Sequence, residues 1–270
     1  MNPEPSSAYE RIADDSFLAG ELTRGPWSPD HQHAGPPTAL VSRAIERAAA
    51  AQGLTHLARL TANLLRPVPL GELSVAVDED YAGRNAAHFS ARLSGGGKEL
   101  ARFTALMQRE VETPTPPGTP GHPLPAAPRR PGDCEPFAMP FAGRQITYAD
   151  FVETRAAEGR PWAGPCSVWF RMRHPLVEGE SPSPYQRVAV AADSGNGISA
   201  VLDFARYSFV NCDLTINLLR RPVGDWICLA ARTQLGGNGC GLAESTLYDA
   251  AGLIGSATQS LAVRLREGPG

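Results

Sequence analysis

The sequence is poor in cysteine, with five among 270 residues and none in a C-x-x-C pair. An odd number of cysteines without such spacing argues against a disulfide framework and against a structural zinc site. No stretch approaches the ~20 apolar residues of a membrane helix, and the amino terminus lacks the basic and apolar segments of a secretory signal. We therefore expect a cytoplasmic protein without a membrane span.

Other absences exclude function classes. The formal net charge is −3 and no long basic run occurs, so nothing points to binding of nucleic acid. The G-x-S-x-G motif of serine hydrolases, the phosphate-binding P-loop and the G-x-G-x-x-G dinucleotide motif are all missing. Apolar neighbours predict that Cys166, Cys212 and Cys240 are inert core residues. His31 and His33 have no partners at metal-ligand spacing, so no metal site is expected.

What the chain does contain is an internal repeat. The sequence LTANLLRPV at 60–68 returns as LTINLLRRPV at 214–223, and Thr61 and Thr215 are 154 positions apart. This separation is about the length of a small domain and is too long for a solenoid repeat. The sequence therefore predicts a duplicated domain.

The flanks of the two copies are similar as well. A glycine turn leading into an apolar segment precedes each copy, at 35–41 and at 196–202. A strand-like segment that ends in a glutamine follows each copy, and Gln108 in the first half then corresponds to Gln259 in the second. The shared order of turn, helix, strands and glutamine supports the duplication.

Proline marks the boundary between the halves. The segment 113–140 is crowded with proline, which cannot donate to a sheet ladder and biases its predecessor toward extended conformations. We predict an N-terminal unit at 1–112, a proline-rich linker at 113–140 and a C-terminal unit at 141–270. The alternative is that the proline-rich segment binds a proline-recognition domain.

Periodicity predicts one helix against several strands in each half. In the first half we predict a helix at 37–51, begun by prolines in its first turn, and strands at 58–65, 72–82, 86–94 and 99–109. In the second half we predict a first strand at 167–173, a helix around 197–207, and strands at 211–219, 226–234, 239–249 and 253–263. The fold class is α+β, with two units joined edge to edge so that fewer strand edges are exposed.

Six phrases, taken in order, resemble a known family. They are 33–40 (HAGPPTAL), 65–67 (LRP), Gln108, 192–193 (AD), 211–215 (NCDLT) with Arg220, and 257–259 (ATQ). Together they resemble the acyl-CoA thioesterase II family of double-hotdog proteins. The resemblance implies two tandem hotdog units, each with a long helix wrapped by an antiparallel sheet, an acyl-CoA substrate, no cofactor, and a homodimer or higher homo-oligomer.

The resemblance also implies the catalytic residues, because the family holds its attacking water with an aspartate, a hydroxyl or amide residue and a glutamine. These match Asp193, Asn211 and Gln259. Asn211 departs from the threonine of well-characterised members, and Thr215 is its rival for the middle position. On a continuous strand Asn211, Asp213, Thr215 and Asn217 share one face, which is either the site or simply the solvent face.

The remaining assignments concern charge stabilisation and substrate binding. Backbone N–H groups of Gly195, Asn196 and Gly197, at the start of the expected helix, are candidates to hold the oxyanion. His33 and Gly35 are candidates for substrate binding, because the first half then shapes the acyl or CoA pocket. Each of the candidate site residues also has a purely structural interpretation.

Asp193 could serve only as a helix cap and Gln259 as an exposed strand residue. Asp249 is expected to be a solvated or turn residue.

The sequence supports two candidate functions. The first is an acyl-CoA thioesterase that acts by direct attack of water, without a covalent intermediate. The second is a non-catalytic acyl-CoA or acyl-carrier binding protein, motivated by Asn211.

Overall fold

A computed structural model describes residues 5–114, 125–141 and 145–266, and within these ranges fourteen strands form one antiparallel sheet. The N-terminal unit contains β1 (Tyr9–Ala13), β2 (Ser16–Ala19), α1 (Gly35–Ala50), β3 (His56–Leu64), β4 (Glu72–Ala82), β5 (Ala86–Gly95) and β6 (Lys98–Gln108). The C-terminal unit contains β7 (Glu135–Pro136), α2 (Tyr148–Phe151), β8 (Val152–Gly159), β9 (Cys166–Met172), α3 (Pro184–Ala192), α4 (Gly195–Ile198), β10 (Tyr207–Asn211), β11 (Asp213–Leu218), β12 (Trp226–Leu235), β13 (Cys240–Asp249) and β14 (Gly252–Leu265).

The two units join where the repeated sequences meet. The strand order is β1-β2-β4-β5-β6-β3 in the first unit and β11-β14-β13-β12-β9-β8-β7 in the second, with β10 also paired to β14. β3 and β11 pair antiparallel with Thr61 opposite Thr215, and the two threonine hydroxyls are 3.2 Å apart. Because equivalent residues face each other, a pseudo-twofold axis passes between them. The predicted α+β double hotdog with edge-to-edge sheets is confirmed.

The central helices α1 and α3 pack against each other and against the sheet. α1 begins with Gly35, Pro36 and Pro37, where proline sacrifices no helical hydrogen bond. Its apolar stripe, Leu40, Val41 and Ile45, is fully buried. In the described part of the chain, no helix has the length and apolar character of a membrane span.

The helix expected around 197–207 is wrong. The second central helix is α3, which ends before that range, and only the short α4 follows it. α3 starts at Pro184, after Ser183, whose hydroxyl accepts a hydrogen bond from the Gln186 N–H. The Ser-Pro start is the real counterpart of the prolines that begin α1. The glycines at 195 and 197 lie after the helix and not before it.

The single strand expected at 211–219 is also wrong, because a β-bulge at Cys212 divides it. Asn211 pairs with Leu261, whereas Thr215 pairs with Thr258, so the β10–β11 segment has one residue more than its partner strand. The Asp213 carboxylate accepts the Ser260 N–H at 2.6 Å, which replaces a ladder hydrogen bond. An inserted residue reverses the faces on which the side chains before and after it lie.

Part of the segment expected as a linker packs against the C-terminal unit. The Arg129 guanidinium donates to the Ala157 carbonyl at 2.8 Å, and the Trp169 indole N–H donates to the Arg129 carbonyl at 2.7 Å. β7 then pairs with β8 at the sheet edge. Residues 115–124 of the expected linker lie outside the described residues.

Candidate functional site

A cavity of about 520 Å³ lies between the two units. Its lining includes partly exposed apolar side chains, namely Trp27 (37%), Leu65 (46%) and Val210 (39%). It also includes the buried residues Met139 and Ile198. The volume is within the range of about 300–1,000 Å³ that is typical of small-molecule sites.

Asp193 brings a carboxylate to the wall of this cavity. It lies at the break between α3 and α4, and only 5% of its surface is exposed. Its Oδ2 is 3.0 Å from His33 Nδ1, and its Oδ1 accepts the Asn211 Nδ2–H at 2.8 Å. A buried carboxylate needs such partners, because an unpaired charge away from water is costly. Asp193 is therefore more than a helix cap.

The N-terminus of α1 points toward the same carboxylate. Pro36 and Pro37 have no N–H group, so Gly35 provides the backbone donor at the start of α1. Its nitrogen lies 3.2 Å from His33 Nδ1, and its N–H also forms a hydrogen bond with Asp193. Gly35 is required by close approach, since a Cβ there would overlap the Val190 carbonyl oxygen. The positive end of the helix dipole stabilises a nearby anion.

These contacts determine the charge of Asp193. Burial acts to raise the pKa of its carboxyl, but the nearby His33 charge and hydrogen bonds from His33, Asn211 and the Gly35 N–H outweigh it. The net effect is a pKa below the ordinary aspartate value. Asp193 is therefore ionised at neutral pH.

Gln259 and Asn211 reach Asp193 from neighbouring strands. Gln259, on β14, donates its Nε2–H groups to the Asp193 carbonyl at 3.1 Å and, more weakly, to Oδ1 at 3.4 Å. Its Oε1 accepts the Asn196 N–H at 2.9 Å. Asn211 donates to Asp193 and, at 3.3 Å, to the Asp213 carbonyl. Within the described residues, Asn211 Oδ1 accepts no protein hydrogen bond and is available to a water or a substrate.

The 195–197 segment holds Gln259 in place. The Asn196 N–H, expected to face an oxyanion, is occupied by Gln259, and the Asn196 side chain donates to the Phe209 carbonyl. A Cβ on Gly195 would come within 3.0 Å of Gln259 Oε1 and 2.8 Å of Ser245 Oγ. A Cβ on Gly197 would meet nothing within 4 Å. Glycine at 195 thus permits close packing of α4 on the site.

Thr215 lies away from this cluster. The bulge at Cys212 directs Asn211 to the helix side of the sheet, whereas Thr215 lies on the opposite face beside Thr61. Asn211 therefore contacts Asp193, whereas Thr215 does not. The shared face expected for Asn211 and Thr215 is wrong, because one inserted residue inverts the alternation.

The equivalent positions of the first unit carry apolar side chains. Thr61 pairs with Thr104 as Thr215 pairs with Thr258, so the counterpart of Gln259 is Ala105 and not Gln108. A bulge also follows Leu57, which is the counterpart of Asn211. The duplication thus preserves the bulge, but Leu57 and Ala105 stand in the first unit where Asn211 and Gln259 stand in the second.

Sequence reasoning missed Tyr148. Its ring stacks on the His33 ring, with centroids 3.8 Å apart and planes 3° from parallel. Its hydroxyl donates to the Val190 carbonyl at 2.8 Å and lies 3.1 Å from Ser194 Oγ. Burial raises its pKa, which keeps the hydroxyl protonated. The Thr147–Asp150 capping box indicates a helix start, but no local signal indicates the stacking.

The expectation that Cys212 and Cys240 are core residues is wrong, and Asp249 is a turn residue but not a solvated one. Cys212 and Cys240 are exposed, and only Cys166 of the three cysteines is buried, with a pKa raised to about 12 by burial. Asp249 is 2% exposed and forms a bidentate ion pair with Arg220, at 2.6 and 2.7 Å. Among the described residues, no three His, Cys, Asp or Glu side chains converge as metal ligands would.

Residues 23–108 match the family model described as the acyl-CoA thioesterase N-terminal domain, and residues 131–263 match its C-terminal domain. No curated protein matches the sequence significantly.

Solved structures resemble the whole chain at low sequence identity. A proposed thioesterase II from Thermobifida fusca has a TM-score of 0.73 at 15% identity, covering 97% of this chain and 96% of its own. An acyl-CoA thioesterase II from Mycobacterium marinum has a TM-score of 0.64 at 16% identity, covering 97% of each chain. A hot dog fold protein from Alicyclobacillus acidocaldarius has a TM-score of 0.66 at 15% identity, covering 98% and 97%. At these identities the likeness concerns the fold.

Proposed function

Because the chain belongs to the acyl-CoA thioesterase family, we propose that it hydrolyses an acyl-CoA thioester to a free carboxylic acid and CoA. The observation that carries the proposal is a buried, ionised carboxylate, Asp193, at the wall of an apolar cavity of about 520 Å³. The cavity accommodates the acyl group, and the carboxylate accepts a proton from water. Both are needed for hydrolysis.

The reaction begins with a water molecule between the Asp193 carboxylate and Asn211 Oδ1. Asp193 accepts one proton of this water while the water oxygen bonds to the thioester carbonyl carbon. The C–S bond of the tetrahedral intermediate then breaks, and the electron pair leaves on the CoA sulfur. Return of the proton from Asp193 to that sulfur gives the carboxylic acid and the CoA thiol, so that all atoms and charges balance.

The neighbours of Asp193 have positioning roles. His33 fixes Oδ2, and together with the Gly35 N–H it holds the carboxyl in its charged form, whereas Gln259 binds the Asp193 backbone and the Asn196 N–H. A lowered pKa makes a carboxylate a weaker base, but it secures the unprotonated form throughout the neutral range. Proximity and exclusion of bulk water then favour proton transfer.

The non-catalytic binding protein is the alternative. Asn211 departs from the threonine of the resembling family, but its amide makes a 2.8 Å hydrogen bond to Asp193 and keeps its Oδ1 available. An amide both donates and accepts, as a water-orienting group must. The geometry thus supports catalysis and gives no reason to prefer a binding function.

The test is release of free CoA thiol from a panel of acyl-CoAs of short to long, branched and aromatic chains. Wild type is compared with Asp193→Asn, which keeps the shape of the side chain but cannot accept the proton. We expect turnover by wild type and a loss of about 10²- to 10⁴-fold in the variant. Binding of the substrates without turnover by either protein would instead support the binding protein.

A further inference from the structure

Trp162 has an unusual backbone conformation in the hairpin between β8 and β9. Its φ is 60°, and in the part of the chain that the structure describes it is the one non-glycine residue with positive φ. Bulky residues rarely adopt this conformation, and such outliers persist where the surroundings enforce them. The conformation therefore calls for an explanation in what the side chain does.

The surroundings hold the backbone of Trp162 by hydrogen bonds to α4. The Trp162 N–H donates to the Ile198 carbonyl at 2.7 Å, and the Gly164 N–H donates to the Ala200 carbonyl at 3.1 Å. The hairpin thereby satisfies carbonyls at the end of α4, the helix whose Asn196 N–H binds Gln259. The position of Trp162 is thus tied to an element of the site.

The side chain of Trp162 lines the acyl cavity. Its ring meets the Phe137 ring edge to face, with centroids 5.4 Å apart, and Phe137 is fixed by a 3.2 Å hydrogen bond to the Thr154 carbonyl. Met139, next along the same segment, lines the cavity while only 7% exposed. Trp162 is itself partly exposed, and it lines the cavity together with the buried residues Met139 and Ile198.

We propose that Trp162 is the residue that limits the size of the acyl group, because its indole, held against Phe137, forms part of the wall of the cavity. This inference rests on the proposed thioesterase function and deepens it. The proline-rich segment contributes Met139 and the support of Phe137, so a region expected as a spacer forms part of the substrate pocket.

Trp162→Gly is the informative substitution. Glycine adopts positive φ freely, so the variant relieves the backbone while it removes the indole, and it is expected to fold. Trp162→Phe retains a ring of smaller size. Ala163→Gly, at the exposed neighbouring position of the same turn, is the matched control for added backbone freedom.

The experiment measures kcat/KM for straight-chain acyl-CoAs from four to sixteen carbons with wild type and the three variants. We expect the ratio of kcat/KM for long over short chains to rise about tenfold or more in Trp162→Gly, less in Trp162→Phe, and to be unchanged in Ala163→Gly. A proportional loss for all chain lengths, or no change in the ratio, would overturn the proposal.

A second measurement separates this proposal from the proposed function. Binding of the free carboxylic acids of the same lengths is measured by calorimetry, which requires no turnover. If wild type hydrolyses no acyl-CoA, the proposed function fails, but a shift of binding toward longer acids in Trp162→Gly still supports the wall assignment. Identical length dependence of binding in wild type and variant would overturn it.

Discussion

His33 Nδ1 lies 3.0 Å from Asp193 Oδ2, so a residue of the N-terminal unit holds the carboxylate of the C-terminal unit. The contact is buried, because the two side chains are 11% and 5% exposed. The first unit thus contributes directly to the site through the segment that precedes α1, although its own equivalent strand positions are apolar. The chemistry we propose depends on both halves of the duplication.

Removal of His33 should change the pH dependence of activity. In wild type the pKa of Asp193 is below its ordinary value of about 3.9, so the acid limb of kcat/KM lies in strongly acidic solution. In His33→Ala, Asp193 stays buried but loses one of the interactions that lower its pKa. The pKa of Asp193 then rises, the acid limb moves to higher pH, and kcat falls by up to about 100-fold.

The measurement is a pH profile of thioester hydrolysis for wild type and His33→Ala. His88→Ala, at an exposed histidine on β5, is the control and should leave the profile unchanged. An acid limb at the same pH in wild type and His33→Ala would contradict the assigned coupling.

Substitution of Gly195 should disturb catalysis through Gln259. An alanine Cβ at 195 would lie 3.0 Å from Gln259 Oε1 and 2.8 Å from Ser245 Oγ, so Gln259 must shift. We expect kcat to fall by roughly 10- to 100-fold, because small displacements at a reacting centre are costly. Steady-state kinetics of Gly195→Ala test this.

Gly197→Ala provides the comparison on the same helix. Its added Cβ would meet nothing within 4 Å, and reduced freedom of the unfolded chain should stabilise the protein by about 0.4–1 kcal/mol. We expect kcat within about threefold of wild type. Equal losses of kcat in the two variants would show that general damage to α4, and not displacement of Gln259, is responsible.

Asn211 and Thr215 should respond differently to substitution. Asn211 donates to Asp193, whereas Thr215 donates to Thr61 on the other face of the sheet. We expect Asn211→Ala to lower kcat by about 100-fold or more and Thr215→Val to change it less than about threefold. Rates of CoA release at saturating substrate decide between them, and the opposite order would return the middle position to Thr215.

The Arg220–Asp249 ion pair should contribute to stability and not to turnover. Asp249 also accepts the N–H groups of Val223 and Ala251, both at 2.8 Å. We expect Asp249→Asn to lower the free energy of unfolding by about 2–4 kcal/mol, since it leaves the guanidinium uncompensated. Glu244→Gln breaks the exposed pair with Arg232 and should cost less than about 1 kcal/mol.

The effect at Asp249 should depend on pH. Burial acts to raise the pKa of its carboxyl, but hydrogen bonds from Arg220, Val223 and Ala251 lower it further than burial raises it. The contribution to stability is therefore present above about pH 4, the range of an unfolded aspartate, and is lost as the pH falls through the lower folded-state pKa. Urea unfolding at neutral and at strongly acidic pH should show a difference between wild type and Asp249→Asn at neutral pH alone.

Much of the fold is predictable from the sequence, because duplication and strand periodicity are local signals. The strand expected at 72–82 has the observed bounds, and the expected edge-to-edge junction is present, although only the structure shows that Thr61 meets Thr215 there. The helix in the second half is misplaced, because glycines at 195 and 197 resemble the glycine turn before α1. The Ser-Pro start at 183–184 was the better signal.

The candidate site is predictable only in part. The ordered phrases of the resemblance include Asp193, Asn211 and Gln259, and these side chains meet in the structure. The choice between Asn211 and Thr215 depends on a single inserted residue at Cys212, which strand alternation alone does not reveal. Tyr148 and Trp162 reach the site and the cavity from segments that are distant in sequence.

The sequence by itself determined the duplication, the α+β class and the residue types at the site, since hydrophobic periodicity and repeated phrases are properties of the chain. The tertiary structure alone decided which side chains share a face, which of them meet Asp193 and which segments line the cavity. The physical reason is that register, bulges and long-range packing depend on pairing between distant strands. One residue more or less in such a pairing moves a side chain from the solvent to the site.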